Sequence, residues 1–99
     1  MTQVFPSSGV VLDEAMLTID ELARACACEP HWVVERVEIG VLECTLETGE
    51  PRFASAGLAR ARRLLELERR FDADPELAAL AVDLIEEVQA LRRRLASGR

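Results

Sequence analysis

The chain is poor in several residue types on which common protein chemistries depend. Among its 99 residues there is one His and one Trp, Tyr is absent, and every cation is Arg because no Lys occurs. No Gly-rich phosphate loop is present, and the four serines fall in an N-terminal arm, a helix cap and a C-terminal tail. A nucleophile, a base and an orienting acid cannot be assembled from this material. The sequence therefore predicts a protein that is not an enzyme and has no cofactor.

Long apolar runs are missing as well. The longest are short, such as Val10–Leu12, whereas a membrane-spanning helix needs about 20 apolar residues. The first residues lack the basic segment and the apolar segment that together make a signal peptide. We therefore expect a cytoplasmic protein that does not bind a membrane.

Cysteine is scarce, and its number is odd. Cys26, Cys28 and Cys44 occur without a secretory context, which argues against a disulfide framework. Together with His31 they are the residue types of a Cys₃His zinc site, so a zinc or thiol sensor is one alternative function. Residues two apart lie about 200° from each other around a helix. We therefore predict no metal site, with Cys26 in the core, Cys28 in a turn and Cys44 paired within a later hairpin.

Two short helices are predicted after an N-terminal arm at residues 1–16, in which Val10–Leu12 is a possible strand. Thr18-Ile-Asp-Glu matches a capping box and begins a helix of about two turns. Pro30 suits the first turn of a second helix, predicted over His31–Ile39, with Val33, Val34, Val37 and Ile39 as its apolar positions. Gly40 follows at the position where helices often end in a left-handed conformation.

A hairpin and two longer helices complete the predicted order. Val41–Thr45 and Pro51–Phe53 flank a loop that contains Gly49, which predicts a small wing. A third helix over Ser55–Phe71 has an apolar stripe of Leu58, Ala61, Leu64, Leu65 and Phe71. Asp74 and Pro75 then begin a last helix, predicted over Glu76–Ala96. The predicted divisions are the arm, a winged helix-turn-helix at residues 17–54 and a helical pair at residues 55–97.

The last helix has the strongest periodicity in the chain. Its apolar residues recur at alternating spacings of four and three, which is the heptad pattern of a helix that packs along a partner helix. The partner is either a second copy of the chain or the third helix, and the pattern does not separate the two. The residues predicted to mediate dimerisation are Leu77, Leu84, Ile85, Val88, Leu91 and Leu95.

Charge is divided unevenly between the two halves of the sequence. Up to Ala54 there are ten acidic residues and three arginines, a net charge of −7, while the remainder has eight acidic residues and nine arginines, a net charge of +1. A DNA-binding surface needs several cations to contact phosphates, so this half is suited instead to a basic protein partner. The candidate partner-binding residues are Trp32, Glu35, Glu38, Glu43, Glu47 and Glu50.

Several ordered segments resemble a known family. Leu17-Thr-Ile-Asp-Glu-Leu-Ala and Val33-Val-Glu-Arg-Val-Glu-Ile-Gly-Val-Leu resemble the start of MerR-type regulators. Together with Arg52-Phe-Ala, Arg60-Ala-Arg-Arg-Leu-Leu-Glu-Leu and Leu80-Ala-Val-Asp-Leu-Ile-Glu-Glu-Val, they are more similar to the CbpM-like chaperone modulators. The resemblance covers Leu17 to Leu95. This chain departs from the family pattern in lacking a Trp in the second wing strand, in having Ala54 after Phe53, and in having Asp74-Pro75 before the last helix.

The resemblance implies both a fold and a function. The fold is mainly α, a MerR-like winged helix-turn-helix with a small β-hairpin wing followed by two longer helices. The function is to bind the J-domain of a CbpA/DnaJ-type co-chaperone and to inhibit its action with a DnaK-type chaperone. The alternative within the same fold is a MerR-like transcriptional regulator that binds DNA.

Overall fold

The computed structural model describes residues 16–98 of the chain. They form four helices and one two-stranded antiparallel sheet: α1 (Ile19–Cys26), α2 (Pro30–Glu38), β1 (Thr45–Glu47), β2 (Glu50–Arg52), α3 (Ser55–Phe71) and α4 (Pro75–Ser97). This is the predicted mainly α fold with a small hairpin. The predicted arm up to residue 15 and its possible strand at Val10–Leu12 lie outside the described residues.

The helix starts follow the capping signals in the sequence. At α1 the Thr18 hydroxyl accepts a hydrogen bond from the backbone N–H of Glu21 at 3.1 Å, and the Glu21 carboxylate accepts one from the N–H of Thr18 at 2.9 Å. At α4 the Asp74 carboxylate accepts from the N–H of Leu77 at 2.7 Å. Side chains thus satisfy amide groups that have no partner within the helix. Both caps are confirmed, and the helix bounds agree with the predictions to within about one residue.

The hairpin differs from its prediction. Its first strand was predicted at Val41–Thr45, but β1 begins at Thr45 and pairs with β2 through Thr45–Arg52, Leu46–Pro51 and Glu47–Glu50. The turn consists of Thr48 and Gly49, whose φ angles of 49° and 82° are typical of a two-residue hairpin turn. The prediction was wrong because Val41 and Leu42 donate their N–H groups to the carbonyl of Arg36, in the last turn of α2, and the pairing with β2 begins only at Thr45.

The chain divides into two compact units, and the boundary between them falls within α3, after Arg62. In the first unit the buried apolar side chains are Leu22, Ala23, Cys26, Val33, Leu42, Phe53 and Ala61. In the second unit they are Leu64, Leu65, Ala78, Ala79 and Val82. The predicted division into residues 1–16, 17–54 and 55–97 stays a prediction.

The apolar stripe predicted for α3 is buried in its middle, while Leu58 at its start is half-buried. Ala61, Leu64 and Leu65 are buried, but Phe71 is 64% exposed. Phe71 is the last residue of α3, and Asp72 follows with a positive φ of 51°, which turns the chain away from the helix direction. Helical spacing therefore extended the buried stripe one turn too far. Over residues 16–98, no helix combines the length and the apolar character needed to cross a membrane.

Candidate protein-binding surface

One face of α2 has a cluster of four interacting side chains. The guanidinium of Arg36 lies 4.8 Å from the centre of the Trp32 ring and 3.1 Å from a carboxylate oxygen of Glu35. The other oxygen of Glu35 lies 3.0 Å from Nε2 of His31, one turn earlier. His31 is exposed, and its ring nitrogen lies beside the carboxylate of Glu35. Trp32 is half-buried and forms a cation–π contact with Arg36.

The ending of α2 is fixed by its backbone. Gly40 has a φ of 85°, and no atom lies within 4 Å of the place that a Cβ would occupy, so its conformation and not its packing requires glycine. The carbonyl of Arg36 accepts hydrogen bonds from the N–H groups of Val41 and Leu42, at 3.0 and 3.3 Å. Leu42 is fully buried, and this anchors the segment that joins α2 to the wing. Ile39, predicted as an apolar position of the second helix, lies just after α2 and is exposed.

Two of the candidate acidic residues lie in the wing and have an arginine partner. Nε of Arg52 lies 3.7 Å from a carboxylate oxygen of Glu47, and Nη1 lies 3.4 Å from one of Glu50. Arg52 also donates a hydrogen bond from Nη1 to the carbonyl of Pro51 at 3.2 Å. Part of the negative charge of the wing is therefore balanced within the wing itself.

Glu38 and Glu43 differ from the other candidate acids. Both are exposed, and within residues 16–98 neither side chain forms a hydrogen bond or ion pair. Glu38 is the last residue of α2, where the carbonyl groups at the end of the helix add partial negative charge. Glu43 lies five residues later, on the far side of the turn. Their charges are available to a partner, whereas those of Glu35, Glu47 and Glu50 are partly balanced by neighbouring cations.

In the described part of the first unit, two large exposed apolar side chains were not among the predicted partner-binding residues. Ile39 follows directly after Glu38, and Leu46 is the central residue of β1. The apolar spacing assigned Ile39 to the buried side of the second helix, and Leu46 was assigned to a loop. Gly40 was a sequence signal that Ile39 would be exposed. A left-handed glycine ends the helix, so the residue before it no longer follows the helical pattern of buried positions.

The three cysteines are free thiols in different parts of the fold. Cys26 is buried at the end of α1, Cys28 lies in the turn between α1 and α2, and Cys44 precedes β1 and does not pair within the hairpin. In the described part of the chain no three His, Cys, Asp or Glu side chains are grouped as a metal ion would require. Partial burial raises the pKa of the Cys44 thiol, which disfavours the reactive thiolate.

The helix α4 has two apolar faces. Ala78, Ala79 and Val82 are buried, and they lie roughly on the opposite side of the helix from the exposed heptad residues, since each residue advances the helix by about 100°. All six predicted dimerisation residues, Leu77, Leu84, Ile85, Val88, Leu91 and Leu95, are exposed. Beyond Val82 no residue of α4 is buried. The heptad face is therefore distinct from the face that contributes to the core of the second unit.

Comparison with known proteins places the fold in a family. Residues 17–99 match the family model described as MerR HTH family regulatory protein. The chain belongs to this MerR family. It is also 33% identical over 87 residues to the chaperone modulatory protein CbpM of Pseudomonas entomophila (strain L48), an alignment that covers 87% of this chain and 83% of that protein. No solved structure matches the chain.

For a MerR-family protein, this winged helix-turn-helix has few cations that could reach a phosphate. Of the three arginines up to Ala54, Arg36 has a side chain only 11% exposed and contacts Trp32 and Glu35. The Arg52 side chain is 23% exposed and lies beside two carboxylates. Phosphate contacts fix a DNA-binding domain on the duplex, and these two arginines are already engaged by acidic neighbours. The sequence predicted too few cations in this half of the chain for DNA binding, and these side-chain contacts make fewer of them available to a phosphate.

Proposed function

We propose that this chain binds the basic helical face of the J-domain of a CbpA/DnaJ-type co-chaperone in the cytoplasm. By occupying that face it inhibits the action of the co-chaperone with a DnaK-type chaperone, and it catalyses no reaction. The observation that carries the proposal is the exposure of Glu38, Ile39 and Glu43 around the turn after α2, where neither carboxylate forms an ion pair or hydrogen bond within residues 16–98. The similarity to a chaperone modulatory protein supports it independently.

The chemistry of this surface favours a partner that is both basic and apolar. Unpaired carboxylates accelerate the encounter with a cationic surface and select against acidic partners. An exposed aliphatic side chain among them adds apolar contact once the partner is docked. Glu35 and Trp32 lie about one and two turns earlier on α2, and we infer that they form the rim of the same surface.

The direct test is to measure J-domain binding to charge variants. We expect the double variant Glu38→Gln with Glu43→Gln to lower the association rate with a recombinant CbpA-type J-domain roughly tenfold at low salt, and less at high salt, because salt screens the attraction. The matched control is Glu76→Gln with Glu87→Gln, which removes the same charge from exposed positions of α4. Equal effects of the two double variants would assign the attraction to net charge and contradict the proposed surface.

A functional test follows from the proposed inhibition. Adding the chain to a DnaK-type chaperone and its CbpA-type co-chaperone should lower the ATP hydrolysis that the co-chaperone stimulates. The basal hydrolysis of the chaperone alone should not change, because the chain acts on the J-domain. Stimulated hydrolysis that stays constant at a saturating concentration of the chain would refute the inhibitory role.

We also propose that the chain forms a homodimer through the heptad face of α4. Contiguous exposed apolar surface on a protein of this size marks an interaction site, and a heptad stripe is the pattern by which helices pair. A second copy supplies the same stripe and so covers all of it symmetrically.

The second candidate function is DNA binding, as the family description of a regulatory helix-turn-helix protein suggests. The contacts of Arg36 and Arg52 with Glu35, Glu47 and Glu50 argue against it. A gel-shift titration with duplex DNA at low salt, where any electrostatic binding is strongest, separates the two functions.

A further inference from the structure

A long-range hydrogen bond ties α3 to the turn that follows α2. Nε of Arg60 donates to the backbone carbonyl of Val41 at 2.8 Å, and the bond is partly buried. The N–H of Val41 donates in turn to the carbonyl of Arg36, in the last turn of α2. The segment between Glu38 and Glu43 is therefore held from both sides, by the end of α2 and by Arg60.

From this geometry we infer that Arg60 is a positioning residue of the proposed J-domain surface: it fixes the turn that separates Glu38 from Glu43. The inference rests on the proposed function. A hydrogen bond from a charged donor is stronger than one between neutral groups, and Arg60 adds such a bond to the two backbone bonds that this turn makes with the carbonyl of Arg36. An ordered surface binds more tightly than one that must lose conformational freedom on binding.

The inference and simple electrostatics predict opposite effects of removing Arg60 on binding. Arg60 is a cation in the first unit, so its removal makes that unit more acidic and should strengthen the attraction for a basic partner. If Arg60 positions the turn, its removal should instead weaken binding. Arg62 is the matched control, because it lies on the same helix, is exposed, and among the described residues makes a single long contact, 3.4 Å from Nη2 to the carbonyl of Ala25 in α1.

The experiment compares Arg60→Gln with Arg62→Gln for binding to a recombinant CbpA-type J-domain. We expect Arg60→Gln to weaken binding roughly tenfold, mainly by faster dissociation, which corresponds to about 1.4 kcal/mol and is close to the lower end of the range for a hydrogen bond from a charged group. Arg62→Gln should leave the affinity unchanged or raise it slightly. Circular dichroism measures the folded fraction of each variant, and Arg60→Met, which keeps an aliphatic stem but removes the charge and every donor, provides the same comparison if Arg60→Gln folds poorly.

A double-mutant cycle distinguishes positioning from a general loss of stability. Glu43→Gln should weaken binding less when Arg60→Gln is already present than when Arg62→Gln is present, because the turn no longer holds Glu43 in place. A variant that is only partly unfolded would scale all affinities equally and show no such coupling. Equal affinities of Arg60→Gln and Arg62→Gln, or the absence of coupling, would overturn the inference. A wild-type chain that does not bind the J-domain would overturn the proposed function itself.

Discussion

The heptad face of α4 gives the most quantitative prediction, in which Leu84 and Leu91 are both replaced by Ala. In the single chain the two residues are 60% and 42% exposed. Burying a whole leucine side chain contributes about 1.5–3 kcal/mol, so covering the exposed half of each contributes roughly 1 kcal/mol. A symmetric dimer contains four such leucines, and the double variant should therefore weaken dimerisation by about 4 kcal/mol, or roughly a thousandfold.

The same double substitution should change the stability of the isolated chain little, because side chains that are already half in water lose little on truncation. Val82→Ala is the opposite case, since Val82 is fully buried, and it should lower the melting temperature. Leu46→Ala removes an equally exposed leucine from the wing and should affect neither the dimer nor the melting temperature.

Light scattering over a concentration series measures the dimer, and thermal unfolding at a dilution where the chain is monomeric measures the stability. A wild-type chain that stays monomeric at concentrations of roughly tens of micromolar, corresponding to an association weaker than about 6–7 kcal/mol, would refute the dimer. A double variant that dimerises as tightly as Leu46→Ala would place the dimer interface elsewhere.

Three further predictions concern DNA, the turn after α2 and the half-buried thiol. Gel shifts at low salt should show no sequence-dependent retardation of duplex DNA, and specific binding at submicromolar protein would reverse this assignment. Gly40→Ala should lower the free energy of unfolding by roughly 1 kcal/mol in chemical denaturation, because its φ of 85° disfavours a side chain even where space is open; an unchanged value would mean that the turn relaxes at no cost. Burial raises the pKa of the Cys44 thiol in the folded chain. The contribution of the neutral thiol to the free energy of unfolding should therefore be complete below about pH 8.5 and decline as the pH rises further. Cys44→Ser should flatten that decline.

Local sequence signals specified most of the secondary structure. The Thr18–Glu21 capping box, the Asp74 cap and Gly40 each act through hydrogen bonds or backbone angles within a few residues, and all three occur as predicted. The hairpin was harder, because Val41 and Leu42 suit a strand, yet their N–H groups bond to the carbonyl of Arg36 at the end of α2. Strand formation depends on a partner across the sheet, which no local pattern supplies.

The candidate surface was predictable only in outline. The excess of acidic residues before Ala54 is a property of composition, and by itself it indicated a basic partner. The contacts decided which acids remain available: Glu35 lies between His31 and Arg36, while Arg52 lies beside two wing carboxylates. Of these contacts, the sequence indicated only the one between His31 and Glu35, because residues at i and i+4 are neighbours on a helix.

Two features depended on tertiary structure alone. Arg60 reaches the carbonyl of Val41, 19 residues away along the chain, and nothing in either segment encodes that contact locally. The heptad of α4 fixed which residues share a face, because helical geometry sets the spacing. Which side of α4 is covered within the chain depends on tertiary packing. The side with Ala78, Ala79 and Val82 is buried, and the heptad leucines are therefore exposed. Sequence determines local geometry through short-range hydrogen bonds and sterics, whereas exposure is decided by contacts between segments that are distant along the chain.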